Sequence, residues 1–251
     1  MERGWFLAHI EAAVERMIVV ARSLSGGSIV PSYPSHTVAS LVGHVADVAE
    51  RVDRGLSEGV FDRSPPKPLL HDLDEAIALL SRTSTRAIEA LRRTSAQAPL
   101  VHAFTALPAT ASMYPCYLAV EVLIHRWDIE TVSGMHEPID AELAVVAIDN
   151  LFDAWFPMRR ADTSGVARPV RVQIELLDHS RSWTVSAAPD GLSARRARDV
   201  CDAQVRGTAA DLMLLLWKRV GVNGQGFERA GTFEAIDQLL SLSYVPDPQR
   251  H

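Results

Sequence analysis

In 251 residues this chain places only two lysines and two cysteines. Cys116 and Cys201 stand far apart, so they cannot supply the disulfide framework of a small secreted fold and are expected as free thiols in a reducing compartment. With lysine confined to Lys67 and Lys218, arginine carries the basic charge. Its densest run is Arg195-Arg196-Ala197-Arg198, and the formal net charge is −6. No nucleic-acid surface is expected from that balance. No apolar run approaches the roughly 20 residues that cross a bilayer, and no basic segment followed by an apolar stretch opens the chain. Internal repeats are absent as well. The expected setting is the cytoplasm, as a monomer or small homo-oligomer.

What remains is 47% hydrophobic and 22% charged, enough to bury the core of one large or two ordinary domains. The first part reads as helices. Trp5 to Leu24 carries Phe6, Ile10, Val14, Met17 and Ile18 on one stripe. After a loop broken by glycines, Pro31 and Pro34, Ser35 is expected to cap a second helix to about Leu56, with Val38, Leu41, Val45, Val48 and Val52 inward. The segment SPPKPLL is a loop, and Asp72 opens a third helix to about Arg93. A less regular stretch with Pro99 and Pro108 leads to a fourth, with Pro115 in its first turn and Gly134 as its stop. Asp140 to about Phe156 gives a fifth. These helices define a bundle domain over residues 1–160.

The period then changes. Beyond a polar linker at 161–167, Val170, Val172, Ile174 and Leu176 alternate as a half-buried strand. A second strand follows at Ser182–Ala187, a turn at 189–191, and a third strand within Val200–Arg206. Thr208 caps an apolar helix, and a short strand at 227–231 precedes a last helix to about Leu242. Strands with helices on one side make residues 168–251 a small α+β domain.

The chemistry concentrates in YLAVEVLIHRWDIETVSG, Tyr117 to Gly134. As a helix it is apolar on almost every side, yet Glu121 and His125 lie four residues apart within it, on one face and one turn from each other. A buried carboxylate is costly unless paired or bound to a cation. The two residues therefore form a hydrogen-bonded core pair or two ligands of one metal ion, with a third ligand from elsewhere. Glu175 and His179 share the spacing but fall on a strand running into a turn; His71 and Glu75 have it reversed at a polar helix start. His44 points to the core from the second helix and is the natural third member, or else a satisfied core histidine. Cys116, five residues before Glu121, is a small apolar filler or a neighbour of the site.

Three segments carry a resemblance: SYPSHTVASLVGHVADV, then YLAVEVLIHRWDIETVSG, then VRGTAADLMLLLWKR. In this order the chain resembles the mycothiol-dependent maleylpyruvate isomerase family over nearly its whole length. The resemblance implies a DinB-like four-helix bundle joined to a C-terminal α+β domain similar to sterol carrier proteins. It also implies zinc on His44, Glu121 and His125, with Arg219 taking part at the active site. Mycothiol is then the thiol cofactor and a small electrophile the substrate, in an isomerase or an S-transferase. The preference for arginine over lysine suits actinobacteria, which make mycothiol.

The chain departs from the family pattern at Pro34-Ser35-His36-Thr37, where Pro-Gly-Trp-Thr is usual, and at Val120, where His is frequent. Both lie near the expected pocket, so the electrophile is expected to differ from maleylpyruvate more readily than the thiol does. Two histidines and a glutamate leave zinc an open position, which on ligand chemistry alone serves either water or a thiol. Asp128, three residues past His125, either orients a ligand imidazole or faces solvent or Arg126. Arg219 either clamps a substrate carboxylate or answers the dipole at a helix C-terminus.

Overall fold

The computed structural model describes residues 1–61, 67–101, 109–156, 166, 168–224 and 226–242. The expected linker at 161–167, apart from Val166, lies outside them, as do residues 64–66 of the proline-rich loop and Pro108. Two compact units make up the chain, Met1–Glu137 and Pro138–His251.

Helices α1 (Arg3–Arg22), α2 (Val38–Glu58), α3 (Leu73–Arg93) and α4 (Tyr114–Ser133) form the first unit. The cap of α2 is Thr37 and not Ser35. The Thr37 side chain accepts from Ser40 N while Ser40 Oγ accepts from Thr37 N, so two otherwise orphaned donors are answered together. Ser35 instead turns its hydroxyl to His36 Nδ1 at 3.1 Å. The helix stops at Gly59, whose φ of 67° is left-handed. Asp72 caps α3 as expected, accepting from Glu75 N at 2.8 Å. A short 3-10 turn, Ala111–Met113, leads into α4, which ends at Gly134 with φ 69°.

Helix α4 is the centre of this unit. Leu118, Ala119, Val120, Val122, Leu123, Ile124 and Ile129 are all buried, and the helix packs against both α1 and α2. The even hydrophobicity of its sequence thus reflects partners on several sides rather than a membrane. Among the described residues no helix is long and apolar enough to cross one.

Helix α5 (Ala141–Asn150) continues through one π-helical turn, Leu151–Trp155. It corrects the expected boundary at 160, because it belongs to the second unit and packs on α6 (Ala209–Leu216). Trp217 Nε1 donates to Ala147 O at 3.3 Å, and Trp183 Nε1 donates to Asp149 Oδ1 at 2.8 Å. Periodicity reveals that α5 has an apolar face, but not which core covers it.

The second unit holds a five-stranded sheet in the order β3-β2-β1-β4-β5. Its strands are β1 (Val170–Leu176), β2 (Ser182–Ala188), β3 (Gly191–Arg195), β4 (Ala203–Gly207) and β5 (Glu228–Gly231), and α7 (Phe233–Leu242) closes the unit. Only β1 and β4 run parallel. Register puts Val172 beside Val185 and Ala203, and Ile174 beside Trp183 and Val205. All six are buried and share one face of the sheet. The strand expected at 200–206 forms as β4, starting at Ala203 beyond a Val200 that is 93% exposed, and Gly191–Arg195 is a further strand ahead of it that the sequence reading did not include.

Gly55 leaves no room for a side chain in the bundle. A Cβ there would stand 2.0 Å from Tyr114 Oη and 2.9 Å from its Cζ, and Tyr114 is 1% exposed. Gly55→Ala should therefore cost about 1–3 kcal/mol, the usual penalty for overpacking. A urea midpoint unchanged from that of the wild type would show that the ring moves aside freely.

Candidate metal centre

Helices α2 and α4 pack together and bring three of the expected residues to one place. His44 comes from α2, Glu121 and His125 from α4. One ligand atom from each lies within 4.8 Å of the others. His125 Nε2 is 3.4 Å from Glu121 Oε2, and the His44 and His125 rings stand 5.0 Å apart at 88°. His125 is 4% exposed, while His44 and Glu121 are half-buried.

Asp128 settles the orientation of His125. Its carboxylate, with no exposure, can only accept, so His125 Nδ1 donates to Oδ2 at 2.9 Å. Its other oxygen accepts from Ser32 Oγ at 2.6 Å. With the ring's proton fixed on Nδ1, the lone pair of the neutral ring is on Nε2, which faces Glu121.

Burial and the neighbouring His125 push the His44 pKa down to about 3, against the pull of Glu121. Burial likewise lowers His36 to about 4. Burial would also lower His125, but the carboxylates of Asp128 and Glu121 outweigh it, and its pKa is raised from 6.5. One imidazole thus offers a lone pair at neutral pH, and the other sits where two carboxylates favour a positive charge.

This donor set fits a divalent metal. Ligands held at about 2.0–2.1 Å in a tetrahedron stand about 3.3 Å from one another, close to the 3.4 Å between Nε2 and Oε2. A direct charged hydrogen bond would be shorter, near 2.7–2.9 Å.

The decoy pairs go elsewhere. His71 and Glu75 are exposed. Glu175 accepts from Arg198 and Gln204, whereas His179 meets Glu142 at 3.2 Å. Val120 is 2% exposed in the bundle core. Cys116 and Cys201 are both half-buried, and neither is in a disulfide. Arg219 lies in the second unit, just beyond α6. There Lys218 adopts φ 58°, Arg219 N donates to Leu214 O at 2.8 Å, and Arg219 Nη1 donates to Trp217 O at 2.9 Å.

Sequence reasoning missed Ser32 and Tyr33. Ser32 anchors Asp128, and the Tyr33 ring lies 5.6 Å from that of His125 and stacks on His36 at 4.8 Å. The available signal was a tyrosine and hydroxyls crowded into a short proline loop just ahead of the His44 helix.

Residues 22–130 match the family model described as the mycothiol maleylpyruvate isomerase N-terminal domain. Among solved structures, a mycothiol-dependent maleylpyruvate isomerase is similar at 17% identity and a TM-score of 0.60, over 99% of this chain and 96% of that one. A histidine-to-alanine mutant of a mycothiol-dependent maleylpyruvate isomerase matches at 16% identity and a TM-score of 0.58, over the same shares. At such identities the likeness speaks for the fold, a helical N-terminal part followed by a small α/β part. No curated protein matches in sequence.

The metal-free protein should lose stability as pH falls from 6.5 toward 4. In the fold His36 and His44 stay neutral down to about 4 and about 3, whereas in the unfolded chain they take up protons from about 6.5 downward. The unfolded state then binds more protons, so stability falls with pH. His125 works the other way: its raised pKa contributes stability that is complete below the unfolded value and is lost as pH rises through the folded one. One group against two does not reverse the sign. Urea midpoints at pH 7 and pH 5 check this; a higher midpoint at pH 5 contradicts it.

Proposed function

Because residues 22–130 belong to the mycothiol maleylpyruvate isomerase N-terminal domain family, we propose that this protein is a metal-dependent enzyme that uses mycothiol as a nucleophile toward a small electrophile. The observation that carries this reading is the convergence of His44, Glu121 and His125 in a domain of that family. Zinc is the expected metal, and when bound it supplies an open position at which a thiol ionises near neutral pH.

The chain's own residues do the rest. His44, Glu121 and His125 would hold the metal. Asp128 keeps the proton of His125 on Nδ1, and Ser32 holds Asp128 in place. The buried apolar side chains of α4 limit the water around the ligands, which strengthens every charge interaction there. Arg219 is assigned to a substrate carboxylate, because a planar guanidinium can grip both oxygens at once.

The reaction this supports is thiol addition. The mycothiol sulfur bonds to one carbon of a cis double bond, and a proton goes to the enolate that results. The central bond, now single, rotates; loss of the proton and expulsion of sulfur restore the double bond as trans and release the thiol. If a leaving group is expelled instead, the sulfur stays on the product and the same site is an S-transferase.

The test is incubation of zinc-loaded protein with mycothiol and a panel of electrophiles, maleylpyruvate among them, read by mass spectrometry for isomers and adducts. Turnover that needs the thiol supports the reading; turnover at full rate without it assigns the site to hydrolysis.

Two sets of variants follow. His44→Ala or His125→Ala should drop the metal from about one per chain to a small fraction of that, with helical circular dichroism kept; Asp128→Asn should weaken metal affinity about 10- to 100-fold. A His44→Ala protein with full occupancy would make that side chain packing alone. Arg219→Lys keeps the charge but loses the fork. It should retain metal and lose most of kcat/KM, and unchanged kinetics would return Arg219 to a helix-end role.

A further inference from the structure

His36 sits beside the cluster without belonging to it. The backbone that carries it is tightly held: Val30 N donates to His36 O at 3.0 Å, His36 N donates to Tyr33 O at 2.9 Å, and Ile29 pairs with Thr37 in a β-bridge. The residue as a whole is 6% exposed. One face stacks on Tyr33 at 4.8 Å and 26°, and the ring meets that of His44 edge-on at 5.9 Å and 68°. Its ring nitrogens are not among the ligand atoms within 4.8 Å of one another. It is therefore too far to be a fourth member of the set, yet near enough to reach a molecule held there.

The hydrogen bonding of the ring is half used. Nδ1 meets the Ser35 hydroxyl at 3.1 Å, and among the described residues nothing bonds to Nε2. Nε2 is not among the buried polar atoms left without a partner, so it stays open to a small molecule, a capacity that a phenylalanine stacked on Tyr33 would lack.

We propose that His36 is a specificity-determining residue whose Nε2 hydrogen-bonds an oxygen of the electrophile. With the Ser35 hydroxyl donating to Nδ1, the ring's hydrogen sits on Nε2 and the ring acts as a neutral donor. The substrate class it selects is an unsaturated carboxylate or ketone, whose oxygen is conjugated to the carbon that sulfur attacks. A hydrogen bond to that oxygen strengthens as the enolate develops, so His36 favours such acceptors over alkyl halides of similar size. This assignment rests on the reading of the cluster as the site of thiol addition.

The experiment compares zinc-loaded wild type with His36→Phe and His36→Asn. Three quantities are measured: metal content, calorimetric affinity for mycothiol, and calorimetric affinity for maleate with no thiol present. In His36→Phe, metal and mycothiol affinity should be kept while maleate binding weakens roughly three- to tenfold, the worth of one neutral hydrogen bond. His36→Asn, which restores a donor, should recover part of that loss. Equal maleate affinity in wild type and His36→Phe overturns the proposal, as does loss of metal in His36→Phe, which would make His36 a ligand. If the wild type binds zinc but neither mycothiol nor maleate, the proposed function fails and this inference with it; if it binds both and the Phe variant does equally, only this inference fails.

Discussion

The carboxylate of Asp128 has no contact with solvent, and the first unit is arranged to answer its charge. One oxygen takes the Nδ1 hydrogen of His125 and the other takes the Ser32 hydroxyl. The same contacts tie the loop ahead of α2 to the middle of α4, so the loop's position and the orientation of His125 are set together. A second carboxylate on α4, Glu130, is equally buried and meets Arg16 of α1 at 2.9 Å. Such pairs add little net stability, but removing the partner would leave a fully buried carboxylate unanswered. They fix which residues face each other more than how firmly the bundle holds.

That constraint explains why the site sits on helices. Glu121 and His125 are one turn apart on α4, so their separation is set by helix geometry; His44 depends only on how α2 packs against α4. A loop could not hold three donors at these distances without fixing elements of its own. The loop that does take part, Ser32 to Thr37, is fixed by its backbone bonds to Val30 and Tyr33 and by the reciprocal cap of Thr37 and Ser40.

Much of this was legible in the residues. A Glu and a His four apart inside an otherwise apolar helix is a local signal, and the stripe that carries His44 shows its direction. The four-helix part followed by a small mixed sheet was readable from the change of period near Val170. The readings that failed depend on tertiary choices. The face of α5 finds Trp217 and α6, which no stripe can reveal. The strand Gly191–Arg195 is short, lies at the sheet edge and has only Leu192 buried among its five residues, so its alternation is faint. Ser35 and Thr37 are both competent caps, and Ser40 three residues after Thr37 decides between them. Ser32 was invisible because its partner is 96 residues away.

The central claim is that the three donors hold a metal at which a small thiol ionises, and calorimetry on mycothiol reads it directly. Binding is measured with zinc-loaded and metal-free protein, each in two buffers of different ionisation enthalpy. The account predicts binding to the zinc-loaded form alone, with a buffer-dependent heat that corresponds to about one proton released per thiol bound. Thiol binding that is the same with and without metal, or that releases no proton, contradicts it.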